Sequence, residues 1–306
     1  MTVSPPNQSP IFILGVMQRS GTNYFHDLLC LHPGCGSPPL FFEDNLMRYS
    51  DSLLNYASTL RESWEEIKTV DKGVEETLLR HLGDGILSFL ESQVGESQRV
   101  LVKTPRVENL PHFFKLFPEA TLLILVRDGR AVVESGIKSF GWNFEKAARN
   151  WAHAARSTVD FDRATKNTGH RYLIVRYEDL VTDLEKEMRR VLSFLALDQT
   201  SYDFQAAARL PVRGSSQFRG TQDHVHWQPL EKESEFKPLE RWEHWSPSRL
   251  GRFNWIAGEY LSLFGYQTKT SKESPSGIWN RMLDLVWEAR ERLGRLLSRV
   301  RLFLSR

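Results

Sequence analysis

Two stretches of this 306-residue chain set an arginine and short hydroxyl donors where an apolar run gives way to a helical pattern. The first is Gly15-Val16-Met17-Gln18-Arg19-Ser20-Gly21-Thr22-Asn23, which follows the β-forming run Ile11–Val16. A strand, a small-residue turn and a helix start leave backbone N–H groups converging on one point with the helix dipole behind them, a geometry that suits phosphate-like anions. Arg19 adds a fixed charge, and Ser20, Thr22 and Asn23 add short donors close to the backbone. The competing reading is that Ser-Gly-Thr only caps the helix. Gly15 and Thr22 are spaced as in the Walker loop, but Gly21 stands where that loop carries its lysine. With no acidic strand end to hold magnesium, a metal-dependent phosphotransferase is disfavoured, although a related fold is expected.

The second stretch follows the buried-strand pattern Thr121–Val126 and reads Arg127-Asp128-Gly129-Arg130, with Ser135 eight residues after Arg127. Ligands of open α/β sheets bind beyond the carboxyl ends of the strands. Arg127 stands at such an end, and Ser135 lies about two helical turns on, within reach of the same anion. A guanidinium can donate twice to one phosphate. The bland alternative is an Arg127–Asp128 surface pair at a helix start.

Together, in this order, the two motifs resemble those of the 3′-phosphoadenosine 5′-phosphosulfate (PAPS)-dependent sulfotransferase family, nearest to its tyrosylprotein and bacterial-type branch. The resemblance covers roughly residues 10–265. It implies a P-loop-like α/β fold and transfer of a sulfuryl group from PAPS to a hydroxyl acceptor, which the sequence leaves open among sugar, tyrosine, lipid and small alcohol. It makes Arg19, Ser20, Gly21, Thr22 and Asn23 the 5′-phosphosulfate loop and Arg127 with Ser135 the 3′-phosphate site. Asn23 departs from the threonine frequent there but keeps a donor. Tyr177, in Arg176-Tyr177-Glu178-Asp179-Leu180, matches a motif reaching toward the nucleotide, and Arg219, in Ser215–Gly220, matches a late basic loop over the 3′-phosphate. Lys103, in Lys103-Thr104-Pro105, falls where the family keeps a lysine beside the bridging oxygen; as a bare residue it reads as a solvated strand-end lysine. Pro105 occupies the place of the cytosolic branch's catalytic histidine, so the base must lie elsewhere. Glu43, behind Phe41 and Phe42, falls where the tyrosylprotein branch has its glutamate. Partial desolvation there would raise its pKa toward that of a useful base, whereas the plain reading makes Glu43 or Asp44 a helix cap. A non-catalytic nucleotide-binding protein is the other alternative, against which the intact Arg19, Lys103 and Arg127 set argues.

These residues need a scaffold. Strand patterns at Ile11–Val16, Arg99–Lys103, Thr121–Val126 and Arg171–Val175 alternate with helical ones, which predicts a parallel sheet covered by helices on both faces, a three-layer α/β fold. Helices are expected over residues 22–31, 75–90, 107–117, 128–138, 144–165, 183–195 and 247–264, with 199–245 irregular. The domain plan is a flexible start (1–10), one domain (11–267), a linker (268–277) and a final helix (278–306).

Composition bounds the rest. A net charge of +2 and 25% charged residues do not mark a dedicated nucleic-acid binder. Cys30 and Cys35 alone make a poor zinc pattern, and no metal is expected. Cys30, in an apolar helical pattern, is expected to be buried. His224 and His226 would share one face if on a strand but have no further ligands, so acceptor contact or packing is the better reading. Met1–Pro10 lacks the basic and apolar regions of a signal peptide, no apolar run reaches membrane-spanning length, and a cytoplasmic location, peripheral to a membrane at most, is expected. Residues 279–306 carry seven arginines against three acids, and Trp279, Leu283, Val286, Leu293, Leu297 and Val300 share one helical side. Such a helix suits packing on the body, self-association or an anionic membrane surface.

Overall fold

The computed structural model of the chain describes residues 9–39, 43, 45–63, 73–211, 238–268 and 276–304. The expected late loop with Ser215–Gly220 and Arg219, His224, His226, and Phe41, Phe42 and Asp44 around Glu43 lie outside the described residues, as do residues 1–8 and 269–275.

Five parallel strands form the sheet: β1 (Ile11–Gly15), β2 (Cys35–Gly36), β3 (Arg99–Thr104), β4 (Thr121–Val126) and β5 (Tyr172–Arg176), in the order β2-β3-β1-β4-β5. Every residue of β1, β3 and β4 is buried, as expected where helices cover both faces of a parallel sheet. Alternation along β1 separates the two cores. Ile11 and Ile13 join a cluster with Phe25, Leu28, Met188, Val191 and Leu192. Phe12 instead meets Phe113 edge-on at 5.1 Å and stacks on Phe117 at 4.9 Å. These clusters belong to the helical layers: α1 (Thr22–Cys30), α7 (Tyr177–Thr182) and α8 (Leu184–Leu195) on one side, and α4 (Phe113–Leu116) on the other. The remaining helices of this unit are α2 (Ser50–Ser63), α3 (Gly73–Glu91), α5 (Gly129–Phe140), α6 (Phe144–Thr165) and α9 (Phe204–Arg209).

β1 lies between β3 and β4, so winding reverses beside it, the usual place for a ligand crevice. Pairing Ile13 with Lys103, Leu14 with Thr104 and Gly15 with Leu125 brings three strand ends level. The loop after β1, Lys103 and Arg127 therefore lie at the same, carboxyl end of the sheet.

Four local expectations change. The helix expected over 107–117 shrinks to a 3-10 turn, Leu110–His112, and the short α4, because Asn109 turns left-handed (φ 59°) and Pro111 restarts the chain. Tyr177–Thr182 is helical, an element not anticipated, and α9 forms inside the expected irregular stretch, where the Asp203 carboxylate accepts from the Ala206 N–H at 2.8 Å. Cys30 is exposed, while Cys35 is buried. Phe25, Leu28 and Leu29 take the core side of α1, and Cys30 lies one residue further round.

Buried Arg99 fastens β3 to its surroundings. Its Nε donates to the Ser9 carbonyl at 2.8 Å and its Nη1 to the Leu195 carbonyl at 2.6 Å. Desolvation pushes its pKa down to about 10. Arg99→Met should destabilise the fold by about 1–3 kcal/mol, because two buried carbonyls lose their donor. Urea unfolding checks this, and an unchanged midpoint would show that the carbonyls find other partners.

The chain divides into two compact units, the first ending at Trp242 and the second spanning Glu243–Arg306. The second pairs α10 (Pro247–Leu263) with α11 (Gly277–Leu304). Buried Arg252 on α10 donates to the Asn280 carbonyl at 3.0 Å and to Asp284 at 2.6 Å, and Trp255 Nε1 donates to Asp284 at 2.8 Å.

Candidate active site

The loop that follows β1 closes on itself. The Ser20 hydroxyl donates to the Met17 carbonyl at 2.6 Å and accepts from the Met17 N–H at 3.2 Å. Ser20 thus shapes the loop with its side chain. Gly21, at φ 98°, is the N-cap of α1, and no side chain caps that helix. This disposes of the capping alternative: Thr22 and Asn23 open a helix whose first-turn N–H groups face the loop without a side-chain acceptor. Gly21 also lies under Tyr177, since a Cβ there would fall 2.4 Å from the ring. Arg19 adopts φ 75°, a left-handed conformation that costs a non-glycine residue roughly 1 kcal/mol or more.

That strain goes with a definite destination. Arg19 Nε donates to the Ser135 hydroxyl at 3.1 Å, joining the two motifs across 116 residues of sequence. Arg241 Nη1 donates to the same hydroxyl at 3.2 Å. Arg241 was not singled out from the sequence, where only the run Glu240-Arg241-Trp242 marks it. Desolvation, then the neighbouring Arg241 and Arg127, lower Arg19 to about 9, and desolvation with Arg127 lowers Arg241 to about 10. Guanidiniums held so close, and so far from water, gain from an anion placed among them.

Arg127 is buried and ties two segments together. Its Nη1 donates to the Arg19 carbonyl at 2.8 Å and its Nη2 to the Pro238 carbonyl at 2.6 Å, and the guanidinium lies 4.2 Å from the Tyr177 ring centre. Its Nε has no hydrogen-bond partner among the described residues. It does not form the surface pair with Asp128 considered as the alternative. Asp128 caps α5, accepting from the Arg130 N–H at 2.9 Å, and binds the Arg130 guanidinium with both oxygens. Arg130 lies 3.7 Å from the Trp242 ring centre.

Lys103 and Glu43 meet: Nζ lies 3.8 Å from Oε1, with Lys103 only 4% exposed and Glu43 28%. Lys103 is therefore a buried strand-end lysine beside a carboxylate, not a solvated one.

A cleft of about 620 Å³ opens beside these strand ends. Val16, Met17 and Gln18 of the phosphate loop form part of its wall, and Arg106 to Asn109, just after Lys103-Thr104-Pro105, form another. The third wall is α6, which presents Lys146, Asn150, His153 and Ser157 at helical spacing. Among the described residues no group of three or more His, Cys, Asp or Glu could hold a metal ion.

Of the residues expected from the sequence, Arg19, Gly21, Arg127, Ser135 and Tyr177 are linked by direct contacts, Ser20 shapes the same loop, Thr22 and Asn23 open α1, and Lys103 and Glu43 pair where β3 ends.

Known proteins resemble this chain in sequence and in fold. The protein-tyrosine sulfotransferase A of Caenorhabditis elegans is 28% identical over 200 residues, covering 61% of this chain and 50% of its own. The human protein-tyrosine sulfotransferase 1 is 32% identical over 132 residues, covering 42% and 34%. A putative protein-tyrosine sulfotransferase of Caenorhabditis briggsae is 23% identical over 275 residues, covering 87% and 92%. The chain spans about half the length, or less, of several of these relatives. The solved sulfotransferase domain from the curacin biosynthetic pathway has the same fold, with a TM-score of 0.53 at 19% identity over 86% of this chain and 99% of that one. A profile of the sulfotransferase family matches residues 10–201, and the chain belongs to that family.

Proposed function

We propose that this chain transfers the sulfuryl group of PAPS to a hydroxyl acceptor. The observation that carries the reading is the meeting of Arg19 and Arg241 on Ser135, which makes one anion site from two distant motifs. The crevice fits a doubly anionic nucleotide: an uncapped helix start, clustered buried guanidiniums and the unpartnered Arg127 Nε. PAPS, when bound, supplies the activated sulfuryl group. The loop N–H groups and Arg19 hold the 5′ end, and Arg127, Ser135 and Arg241 hold the 3′-phosphate, with Tyr177 beneath. Arg219 remains assigned to the same phosphate by the family resemblance.

Alignment and charge stabilisation dominate this class of transfer. Lys103 neutralises charge gathering on the leaving phosphate. Glu43, 3.8 Å from Lys103, takes the acceptor's proton. The acceptor enters by the cleft lined by the loop and α6. The relatives named as protein-tyrosine sulfotransferases favour a tyrosine hydroxyl over a sugar, lipid or small alcohol. Two free cysteines fit a cytoplasmic location.

The product nucleotide, 3′-phosphoadenosine 5′-phosphate, should raise the melting temperature well above the effect of AMP. Losing one charge-assisted contact costs about 1.5–3 kcal/mol, roughly 10–100-fold in affinity. Thermal shift measures this directly, and equal stabilisation by AMP would remove the 3′-phosphate site. Incubation with labelled PAPS and tyrosine-containing proteins tests the transfer itself.

A further inference from the structure

One side of α11 is committed to α10. Asn280 is buried, Leu283 and Trp287 are half-buried, and Asp284 accepts from Arg252 and Trp255. Leu283, grouped from the sequence with the apolar stripe, thus belongs to this inner side. The opposite side is apolar and open. Ile278, Met282, Leu285, Val286, Leu293 and Leu296 are each more than half exposed, from 51% at Met282 to 76% at Ile278. At 3.6 residues per turn they fall within about 100° of arc.

The charges are ordered around that stripe. Arg290 lies along one border and Arg281 along the other, each about 90° from its midline, with Arg292 at about 70° beside Arg281 and paired with Glu288 at 3.6 Å, while Glu288 lies about 110° and Asp284 and Glu291 about 150° or more away. In all, Gly277–Leu304 holds six arginines and three acids. An apolar centre with cations on both borders and acids behind is complementary to a surface that is apolar below and anionic at its rim.

We propose that this side of α11 lies in the interfacial plane of an anionic lipid bilayer, its leucines below the headgroups and its border arginines among them. A second copy of the chain fits worse. Because both borders are arginine, any face-to-face pairing of two stripes sets arginine against arginine, with the acids turned away. Among the described residues no helix is long and apolar enough to cross a membrane, so the geometry is that of a helix lying on one.

The test is co-sedimentation of the full chain with phosphatidylcholine vesicles, with and without about 30% phosphatidylserine, across a salt series. Binding to the anionic vesicles, at least several-fold above the neutral ones and falling with salt, is expected. Leu285→Glu with Leu293→Glu should abolish it, and Arg281→Gln with Arg290→Gln should reduce it several-fold, with helicity and the nucleotide-induced thermal shift unchanged. These substitutions lie on the exposed side, so a retained thermal shift separates lost membrane binding from lost folding. Absence of binding by the wild-type chain, or equal binding to neutral vesicles, overturns the proposal. So does a dimer in sedimentation velocity that the Leu285→Glu, Leu293→Glu variant loses, which would assign the stripe to a second copy.

Discussion

Arg19→Ala is expected to lower turnover by about 10²–10³-fold and to weaken nucleotide binding, while the unliganded protein melts no lower than the parent. The size follows from removing one preorganised cation that faces developing charge. The unusual part is the stability. The charged form of Arg19 is disfavoured in the folded chain, because burial and then Arg241 and Arg127 lower it to about 9. Deleting the side chain removes that penalty, and alanine tolerates φ 75° no worse than arginine does. Among the described residues the side chain donates to the Ser135 hydroxyl, which Arg241 also reaches. Steady-state assays and thermal shift together check this. A large fall in melting temperature would mean that Arg19 holds the fold, and undiminished turnover would move the donor loop elsewhere.

Glu43→Gln is expected to cost about 10²-fold or more in turnover with donor affinity nearly unchanged. Glutamine keeps the shape and can still hydrogen-bond, but it accepts no proton. The acid limb of the pH–rate profile, which reports ionisation of that carboxylate, should disappear with it. The 3.8 Å contact with Lys103 adds a control. Glu43→Gln removes the counter-charge of a buried lysine, so a modest loss of stability is expected as well. The decisive signature is therefore the pH profile of the remaining rate. If the acid limb survives, Glu43 serves Lys103 structurally and another group is the base.

Much of the scaffold could be read before any coordinates. β4 and α6 lie where the sequence places them, at Thr121–Val126 and Phe144–Thr165, because long apolar or amphipathic runs bounded by polar turns leave few alternatives. Local chemistry overrode the pattern elsewhere. The left-handed Asn109 and Pro111 broke an expected helix, and an Asp203 cap nucleated one that no apolar period announced. At the candidate site, the positions of residues inside contiguous motifs were legible, since strand–turn–helix junctions are set locally. Arg241 was not. It lies 106 residues from Ser135 in an unremarkable run, and only the folded chain brings the two together. The pairing of Lys103 with Glu43 was likewise invisible, because nothing in either segment names the other.

The contact between Gly21 and the Tyr177 ring limits how this loop can change over time. The Walker phosphate loop carries a lysine at the position of Gly21. Here any side chain at that position would have to adopt φ 98° and place its Cβ 2.4 Å from the tyrosine ring. A single replacement toward lysine meets two penalties at once and gains nothing until the ring has also gone. Loss of the ring alone strips Arg127 of the aromatic face 4.2 Å away. The two chemistries are thus separated by a valley at least two substitutions wide. Gly21→Lys combined with Tyr177→Ala should recover folding that Gly21→Lys alone forfeits, a coupling that a double-mutant cycle would measure.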